Sequence, residues 1–578
     1  MSVVRTRFYD SVRQRYDAAV IGGGITGLTA AFRLSEDPNC KKVTLYEKSP
    51  RLGGYIESET IPVNGGKIVF EHGPRSIRAQ ADPNSAAFFE SLLRSLGLSR
   101  QLVSISKHSP AARNRYIYYP DHLVRVPGLL PAGGVLENLR ALYPSPREPA
   151  FRSLLSSVIS EPFKNRPPDY PDDESVGEFI SRRFSKQVAD NLASAVFHGI
   201  YAGDIYKLSA RTLLSQLHGA EAAHGSIIWS QIKDWPSKTK QVATARAMAA
   251  TSSSEWSKGA DVLQSQMGLT SVFTWEQGLG QLVDALADSL RKSTKVDVLT
   301  STEVIDISQD PWDSELVVTF GPRERRVHRV HNRVIATSPA PDVARMLSNA
   351  PEMYTENCQG SIASLKTLNY AVSVMVVNLY YSNPNVVPLK GFGYLIPRSI
   401  PKEQNPEDGL GVIFASETSD TQDTAPGTKL TVMLGGHLWD DLPDSDYPDH
   451  DCAVAMARSM LKRQLGITEA PMIARSRLHR NAIPQYTVGH DARINEISRT
   501  VRTEFRQRLT LAGNWYDGVS VPDCITQGHL AALYGTGRAK STYSSGDDPY
   551  DLEGGIALPP MRWHLESKWE GEHSAEES

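Results

Sequence analysis

At 578 residues the chain exceeds what one hydrophobic core can organise, and its length predicts roughly two to four domains. Apolar residues at 40% and charged residues at 22% exclude a disordered or fibrous protein, and 62 basic against 65 acidic side chains exclude the basic excess of a nucleic-acid binder. Four scattered cysteines (Cys40, Cys358, Cys452, Cys524) with no C-x-x-C pair argue against a disulfide scaffold or a zinc site and for reduced thiols in a non-secreted protein.

The first sixteen residues carry Arg5, Arg7, Arg13 and Arg15 against one acid, Asp10, the balance of a targeting segment or of a solvated basic arm. A strand is predicted at 17–21, then a glycine turn, a helix through 34 and a second strand at 43–46, a βαβ opening. A helix is predicted over 85–105, with Phe88, Leu92, Leu93, Leu96 and Leu98 on its apolar face. Pro and Gly punctuate 120–149 and 162–171, and a long Ala-rich helical pattern covers 176–256. A helix follows Gly278, with strands at 295–299 and 333–337. Further strands are predicted at 370–381, 391–397, 410–415 and 430–436, and strand, turn and helix again over 508–540. No run reaches the ~18 apolar residues of a spanning helix. Residues 546–578 hold nine acids and two bases and are expected to form a flexible acidic tail.

The sharpest local signal is Val20-Ile21-Gly22-Gly23-Gly24-Ile25-Thr26-Gly27, a G-x-G-x-x-G pattern between strand and helix. Gly22 permits the turn, Gly24 lets a pyrophosphate approach the backbone, and Gly27 lets helix and strand pack closely. The helix N-terminus adds free N–H groups and partial positive charge. Glu47, 20 residues after Gly27, is placed to accept from ribose hydroxyls. A second glycine turn with a cation, Arg51-Leu52-Gly53-Gly54, follows directly.

That extended pattern resembles the flavin amine-oxidase superfamily and points to FAD rather than NAD. Late in the chain, 509–513 reads as a strand entering a turn, followed by Gly518-Val519-Ser520-Val521 and a helix from about Asp523, whose amides can reach the flavin. The middle of the chain narrows the resemblance to the protoporphyrinogen oxidase family of non-plant, mitochondrial type. The segments that carry it are Phe70-Glu71-His72-Gly73-Pro74-Arg75-Ser76-Ile77-Arg78, Ala111-Ala112-Arg113-Asn114-Arg115-Tyr116 and Gly199-Ile200-Tyr201-Ala202-Gly203-Asp204. Further matches are Gly391-Phe392-Gly393-Tyr394-Leu395, Thr431-Val432-Met433-Leu434-Gly435-Gly436 and Gly518 to Ile525. Insertions near 238–260 and 400–408 and the acidic tail depart from the compact family pattern.

The resemblance implies an α/β fold of the amine-oxidase/PHBH-like kind. Its Rossmann-like FAD-binding domain comprises 16–105, 271–340 and 481–545. A helical membrane-associated domain spans 106–270, a β-sheet substrate domain 341–480, and the tail 546–578. It assigns non-covalent FAD to Gly22, Gly23, Gly24, Ile25, Thr26, Gly27, Glu47, Lys48, Arg51, Gly53, Gly54, Tyr55, Gly73, Pro74, Arg75, Ser76, Val304, Gly513, Val519, Ser520 and Val521. Arg115 is assigned to a substrate propionate, and Phe392, Gly393, Leu395, Ile413 and Met433 to the macrocycle; no metal and no catalytic base are assigned. The implied reaction is the six-electron oxidation of protoporphyrinogen IX in three flavin cycles, with O2 as acceptor and H2O2 released, in haem synthesis. The implied setting is monotopic attachment to the mitochondrial inner membrane, with a homodimer and a ferrochelatase contact as further partners and no nucleic acid. Two other readings share the nucleotide motifs: a flavin oxidase or desaturase of amines or polyenes, and a non-enzymatic escort-type protein on the same fold.

Overall fold

The computed structural model describes residues 15–78, 83–126, 148–165, 171–233, 270–309, 315–322, 324–418 and 422–535. The chain opens with β1 (Tyr16–Ile21), α1 (Ile25–Glu36) and β2 (Cys40–Tyr46), then the hairpin β3 (Ser58–Val63) and β4 (Gly66–Glu71), and β5 (Ile77–Arg78). Helix α2 (Pro83–Ser95) stops at Gly97, whose φ of 71° breaks the helix, and β6 (Leu102–Ser106) takes the end of the helix expected over 85–105. A short α3 (Pro110–Arg113) leads to β7 (Arg115–Tyr118) and β8 (Leu123–Arg125).

The expected long helical stretch is helical but broken. Preceded by α4 (Leu154–Ser160), it comprises α5 (Val176–Arg183), α6 (Ser194–Tyr201), α7 (Ala210–Leu213), α8 (Ser215–His224) and α9 (Ile227–Lys233). Serine caps divide it: Ser175 and Glu178 form a reciprocal capping box on α5, and Ser209 caps α7. The rest of that expectation, from 234 on, lies outside the described residues, as do the insertion near 238–260, the basic arm to residue 14 and the acidic tail. A buried ion cluster ties the helices together: Arg183 Nε donates to Glu161 at 2.9 Å, and Glu161 also accepts from Ser226 Oγ at 2.6 Å and Ile227 N at 2.9 Å.

The chain continues through β9 (Thr270–Trp275), α10 (Gly280–Lys292), β10 (Val296–Leu299), β11 (Val304–Gln309), β12 (Leu316–Phe320), β13 (Val327–His331) and β14 (Arg333–Ala336). Then come α11 (Ala340–Ser348), α12 (Gln359–Leu365), β15 (Ala371–Tyr381), β16 (Gly393–Leu395), β17 (Gly409–Phe414) and β18 (Thr428–Gly435). The last elements are α13 (His450–Leu465), β19 (Ile473–Pro484), α14 (His490–Glu504), β20 (Leu509–Leu511) and α15 (Val521–Gly535).

A parallel sheet of order β10-β2-β1-β14-β20 holds the glycine turn at its centre, where ligands of open α/β sheets bind. Helices α1, α10 and α15 cover one face through Leu28, Leu34, Leu282, Leu286 and Ile525; α11, α12 and α14 cover the other through Val343, Leu347, Ile362 and Ile497. Each such buried side chain contributes roughly 1.5–3 kcal/mol. The second large sheet has the order β19-β15-β18-β17-β16-β7-β8.

Two expected boundaries move. Strands β7 and β8, placed with the helical domain by the 106–270 boundary, pair into the seven-stranded sheet, with Arg115 opposite Gly393. Helices α11 and α12, placed with the substrate domain by the 341 boundary, pack in the core of the parallel sheet instead. Non-local pairing decides both positions. The hairpin of β3 and β4, the meander of β11, β12 and β13, and the 12-residue β19 are elements the sequence reading left unassigned.

Candidate functional site

The turn after β1 has the geometry its glycines predict. Gly22 has φ 108°, and a methyl on it would meet the hydroxyl of Thr337 at 2.5 Å. Thr337 Oγ1 itself donates to Ile21 O at 2.9 Å, tying β14 to the turn. Helix α1 starts at Gly24 with no side-chain cap, so its first N–H groups stay free. Gly24 forms a bridge with Gly53, and a methyl on Gly24 would have only Gly54 Cα, at 4.0 Å, for company. The opening between the two glycine turns is a cradle bordered at Gly24 by backbone. Ile25, Thr26 and Gly27 are buried in the first turn of α1.

Glu47 faces the same opening. Its carboxylate accepts from Gly23 N at 2.6 Å and from Ser49 N at 2.7 Å, which fixes its orientation toward the turn. Arg51 does not stand free behind it. Its guanidinium donates to Leu52 O and Ile56 O at 3.1 Å each and to Gly54 O, and pairs with Glu57 at 3.5 Å, so it shapes the second turn from within. Lys48 is exposed and lies 3.9 Å from Asp342. Tyr55 packs edge-on to His479 with ring centroids 5.6 Å apart. Val304 is buried in the core beside Tyr46, so its side chain belongs to packing and only its backbone can border a cofactor.

The C-terminal segment arrives because α15 lies on α1 at closest approach through Gly528. Gly513, at φ 119°, donates its N–H to Gln527 at 2.8 Å, and so is held to the same helix. Val519, Ser520 and Val521 lead into α15, but its start is capped internally. Ser520 Oγ donates to Asp523 at 2.6 Å and Asp523 N donates back at 3.3 Å. The α1 terminus, not that of α15, is thus the one left uncapped toward an anion.

Gly73, Pro74, Arg75 and Ser76 follow β4 and reach the second sheet. Arg75 Nη2 donates to Thr431 Oγ1 at 2.6 Å; Thr431 donates to Asn378 Oδ1 at 2.6 Å, and Asn378 donates to Glu71 O at 2.8 Å. Burial lowers the Arg75 guanidinium to about 10 against the pull of Glu71, and burial raises the Glu71 carboxyl to about 7. Glu71 accepts from Ser58 Oγ at 2.6 Å and Leu279 N at 2.7 Å. Glu71, Arg75, Asn378, Gln422 and the buried Lys429 line a cavity of about 20 Å³, room for one water. Sequence reasoning missed Glu71, Asn378, Thr431 and Lys429. Their signal is a polar residue on the buried side of an otherwise apolar strand.

The second sheet has two faces. Tyr394, Val412, Phe414, Val432 and Leu434 point into the core beneath α13, whereas Leu395, Ile413 and Met433 are half-buried on the opposite face. On that face the register lines up Arg115, Gly393, Ile413, Thr431 and Asn378 in one row, and Ile117, Leu395, Gly411, Met433 and Val376 in the next. Gly393 and Gly411 keep the floor low. Gly393 has φ 137°, and a methyl on Gly411 would meet Tyr394 O at 2.5 Å. From Arg115 to Thr431 the row crosses three strand spacings, roughly 14 Å. Arg115 sits at the outer edge with its guanidinium 5.6 Å over the Phe392 ring, and its Nε is buried with no hydrogen-bond partner.

Helix α6 closes one end of this floor, Gly199 meeting Leu395. His198 Nδ1–H donates to Ile396 O at 2.7 Å, which leaves its Nε2 to accept from His437 Nε2–H at 2.8 Å. Burial lowers His198 to about 4, so the pair is a neutral brace between α6 and the sheet. His72 bonds Glu59 at 2.9 Å on the rim of β3. Cys524 is buried, its thiol pushed up to about 12 by burial. The insertion near 400–408 folds back locally, with Asn405 and Glu407 buried and Glu407 paired to Arg463 of α13.

An uncapped helix over a glycine cradle, a fixed carboxylate beside it and an arginine reaching the second sheet fit a dinucleotide, whose phosphates the cradle and whose ribose Glu47 would hold. Residues 25–533 match the family described as flavin containing amine oxidoreductase. A protoporphyrinogen oxidase of Schizosaccharomyces pombe is 34% identical over 519 residues, covering 89% of this chain and 97% of that protein. The Homo sapiens protein of the same name is 34% identical over 526 residues, with the same coverage. Among solved structures, reduced UDP-galactopyranose mutase superposes with a TM-score of 0.60 at 14% identity, covering 90% of this chain and 96% of that one. Cyclohexylamine oxidase from Brevibacterium oxydans superposes at 0.56 with 15% identity, covering 91% and 100%. At such identities the structures speak for the fold.

Proposed function

The chain belongs to the flavin-containing amine oxidoreductases and, within them, to the protoporphyrinogen oxidases, and we propose that it oxidises protoporphyrinogen IX to protoporphyrin IX in haem synthesis. The observation that carries the reading is a low apolar floor with Arg115 at its edge, its buried Nε without a hydrogen-bond partner among the described residues. FAD, when bound, would supply the oxidising power for three two-electron oxidations with O2 as final acceptor, so that one substrate and three O2 give one porphyrin and three H2O2.

The chain's own residues do the placing. Arg115 holds a propionate at the rim, where its buried Nε gains the partner it lacks. Phe392, Leu395, Ile413 and Met433 orient the macrocycle, and Gly393 and Gly411 let it lie close to the sheet while water is excluded. Arg75, braced by Thr431, presents a cation on the cofactor side of the floor. Over the three cycles three protons also leave to water, two from pyrrole nitrogens and one from a bridging carbon, and no side chain is assigned as their base. The FAD contacts given above for Gly22 to Gly27, Glu47, Gly53, Gly54 and Gly513 belong to the same reading.

Attachment to the mitochondrial inner membrane is part of this proposal. Among the described residues no helix is long and apolar enough to cross a membrane. Helix α4 and its continuation expose Leu155, Ile159 and Phe163 at i, i+4 and i+8, with Ile159 63% and Phe163 79% exposed. Such a stripe supports a monotopic contact. On the resemblance alone, the reading includes a homodimer and hand-off of product to ferrochelatase.

The test is anaerobic mixing of the FAD-loaded protein with protoporphyrinogen IX. The oxidised flavin band should bleach, and air should restore it as porphyrin fluorescence appears. Arg115→Ala should need about 10- to 100-fold more substrate for the same rate, the loss of one charge-assisted hydrogen bond. A flavin that stays oxidised under protoporphyrinogen IX would overturn the substrate assignment.

A further inference from the structure

The edge of the slot holds a second cation. Arg78 ends β5 and is paired with Val272 of β9; Ile105 of β6 faces the same Val272 from the other side. Ala111 of α3 packs against both Ile105 and Val272, only four residues before Arg115. The three-stranded sheet of β5, β9 and β6 therefore brings Arg78, from the cofactor side of the cleft, to the start of β7, which delivers Arg115 from the substrate sheet. Burial and the like charge of Arg78 together lower the proton affinity of Arg115. Among the described residues no carboxylate pairs with either guanidinium, and the Nε of Arg115 has no acceptor.

Two neighbouring guanidinium groups with no acid paired to them among the described residues repel each other in the free protein. A ligand with two carboxylates on one edge relieves that repulsion, and one with a single carboxylate relieves only half of it. We propose that Arg78 is a second carboxylate-binding residue, so that Arg78 and Arg115 each take one propionate of the substrate from opposite walls of the cleft. This rests on the proposed function above and adds a specificity determinant to it. With Arg115 alone, a bound macrocycle can pivot in its own plane about one anchor. With two anchors the rotation is fixed, and the same edge meets the cofactor in every cycle.

The experiment compares protoporphyrinogen IX with its dimethyl ester, using FAD-loaded wild type, Arg78→Gln, Arg78→Lys and Arg115→Gln and reading porphyrin fluorescence. Arg78→Gln should raise KM for the diacid about tenfold while kcat stays within about twofold, as expected for one partly exposed charged contact. Its KM for the dimethyl ester should equal that of wild type, Arg78→Lys should recover most of the diacid affinity, and bound FAD and Tm should not move. An unchanged diacid KM in Arg78→Gln overturns the proposal. So does an equal loss on diacid and ester, or a loss of FAD, which would place Arg78 in the fold or the cofactor site. Failure of wild type itself to oxidise protoporphyrinogen IX would instead bring down the reading on which the proposal rests.

Discussion

Gly528 provides a way to disturb the cofactor site from a residue assigned no contact with the cofactor. A methyl there would lie 3.0 Å from Thr29 Cβ and 3.2 Å from the Thr26 carbonyl carbon, and nearer still to the Thr26 oxygen. Carbon–carbon contacts relax at about 3.5–4.0 Å, so Gly528→Ala must part α1 and α15 by at least roughly 0.5 Å. Overpacking of that kind costs about 1–3 kcal/mol. The displaced helix carries Gln527, which holds Gly513, and follows directly on Val519 and Ser520, so the gap opens between the two ends of the chain that share the dinucleotide. Titration of apoprotein with FAD by flavin fluorescence should show about tenfold weaker binding, equivalent to 1.4 kcal/mol. Tm should fall by several degrees, with part of the loss restored by excess FAD. Gly219→Ala is the control: it is a helical glycine with nothing within 4 Å of the added methyl, and should leave FAD affinity unchanged and Tm equal or higher. Wild-type FAD affinity and Tm in Gly528→Ala would refute the idea that contact between α1 and α15 positions the C-terminal half of the site.

Glu71 predicts a pH dependence with an unusual sign. Its folded carboxyl sits near 7, above the ordinary 4.5, so between those values the unfolded chain gives up a proton that the folded chain keeps. Stability therefore falls as pH rises from about 4.5 to 7, by roughly 3 kcal/mol from this group. Glu71→Gln, which keeps an acceptor for Leu279 N, should flatten that part of the Tm–pH profile, and an unaltered slope would count against a neutral Glu71. At the surface, Ile159→Asp with Phe163→Asp should abolish co-sedimentation with anionic vesicles while leaving turnover of detergent-solubilised substrate within about twofold. Retention on vesicles would move the membrane contact elsewhere.

The nucleotide half of the site was legible because its chemistry is local. Gly22, Gly24, Gly27 and Glu47 are constrained by a turn, a helix start and a strand end that lie within one βαβ unit, and the structure has the tight turn at Gly22, open space at Gly24, close packing at Gly27 and the Glu47 carboxylate held to the same turn. Arg51 shows the limit of such reading. A cation beside two glycines reads as a ligand contact, yet its two terminal nitrogens are spent on the carbonyls of its own turn and on Glu57.

The slot was legible only through resemblance, because its order exists only after strands distant in sequence have paired. Arg115 and Gly393 are 278 residues apart and become direct neighbours on the sheet; Arg75 and Thr431 are 356 apart and share a hydrogen bond. Alternation along β16, β17 and β18 marks two faces, but both carry apolar side chains, so periodicity alone cannot say which face is core and which is pocket. What separates them is the polar minority. Thr431, Asn378 and the chain back to Glu71 lie on the face of Ile413, and α13 covers the face of Val412 with apolar side chains and one polar contact, Gln464 accepting from Tyr394 Oη at 2.7 Å. A buried hydroxyl and amide are tolerated in a strand only where something polar meets them. Here it is Arg75, delivered from the opposite domain, and the position of that one hydrogen bond is what marks the half-buried face as the candidate pocket face.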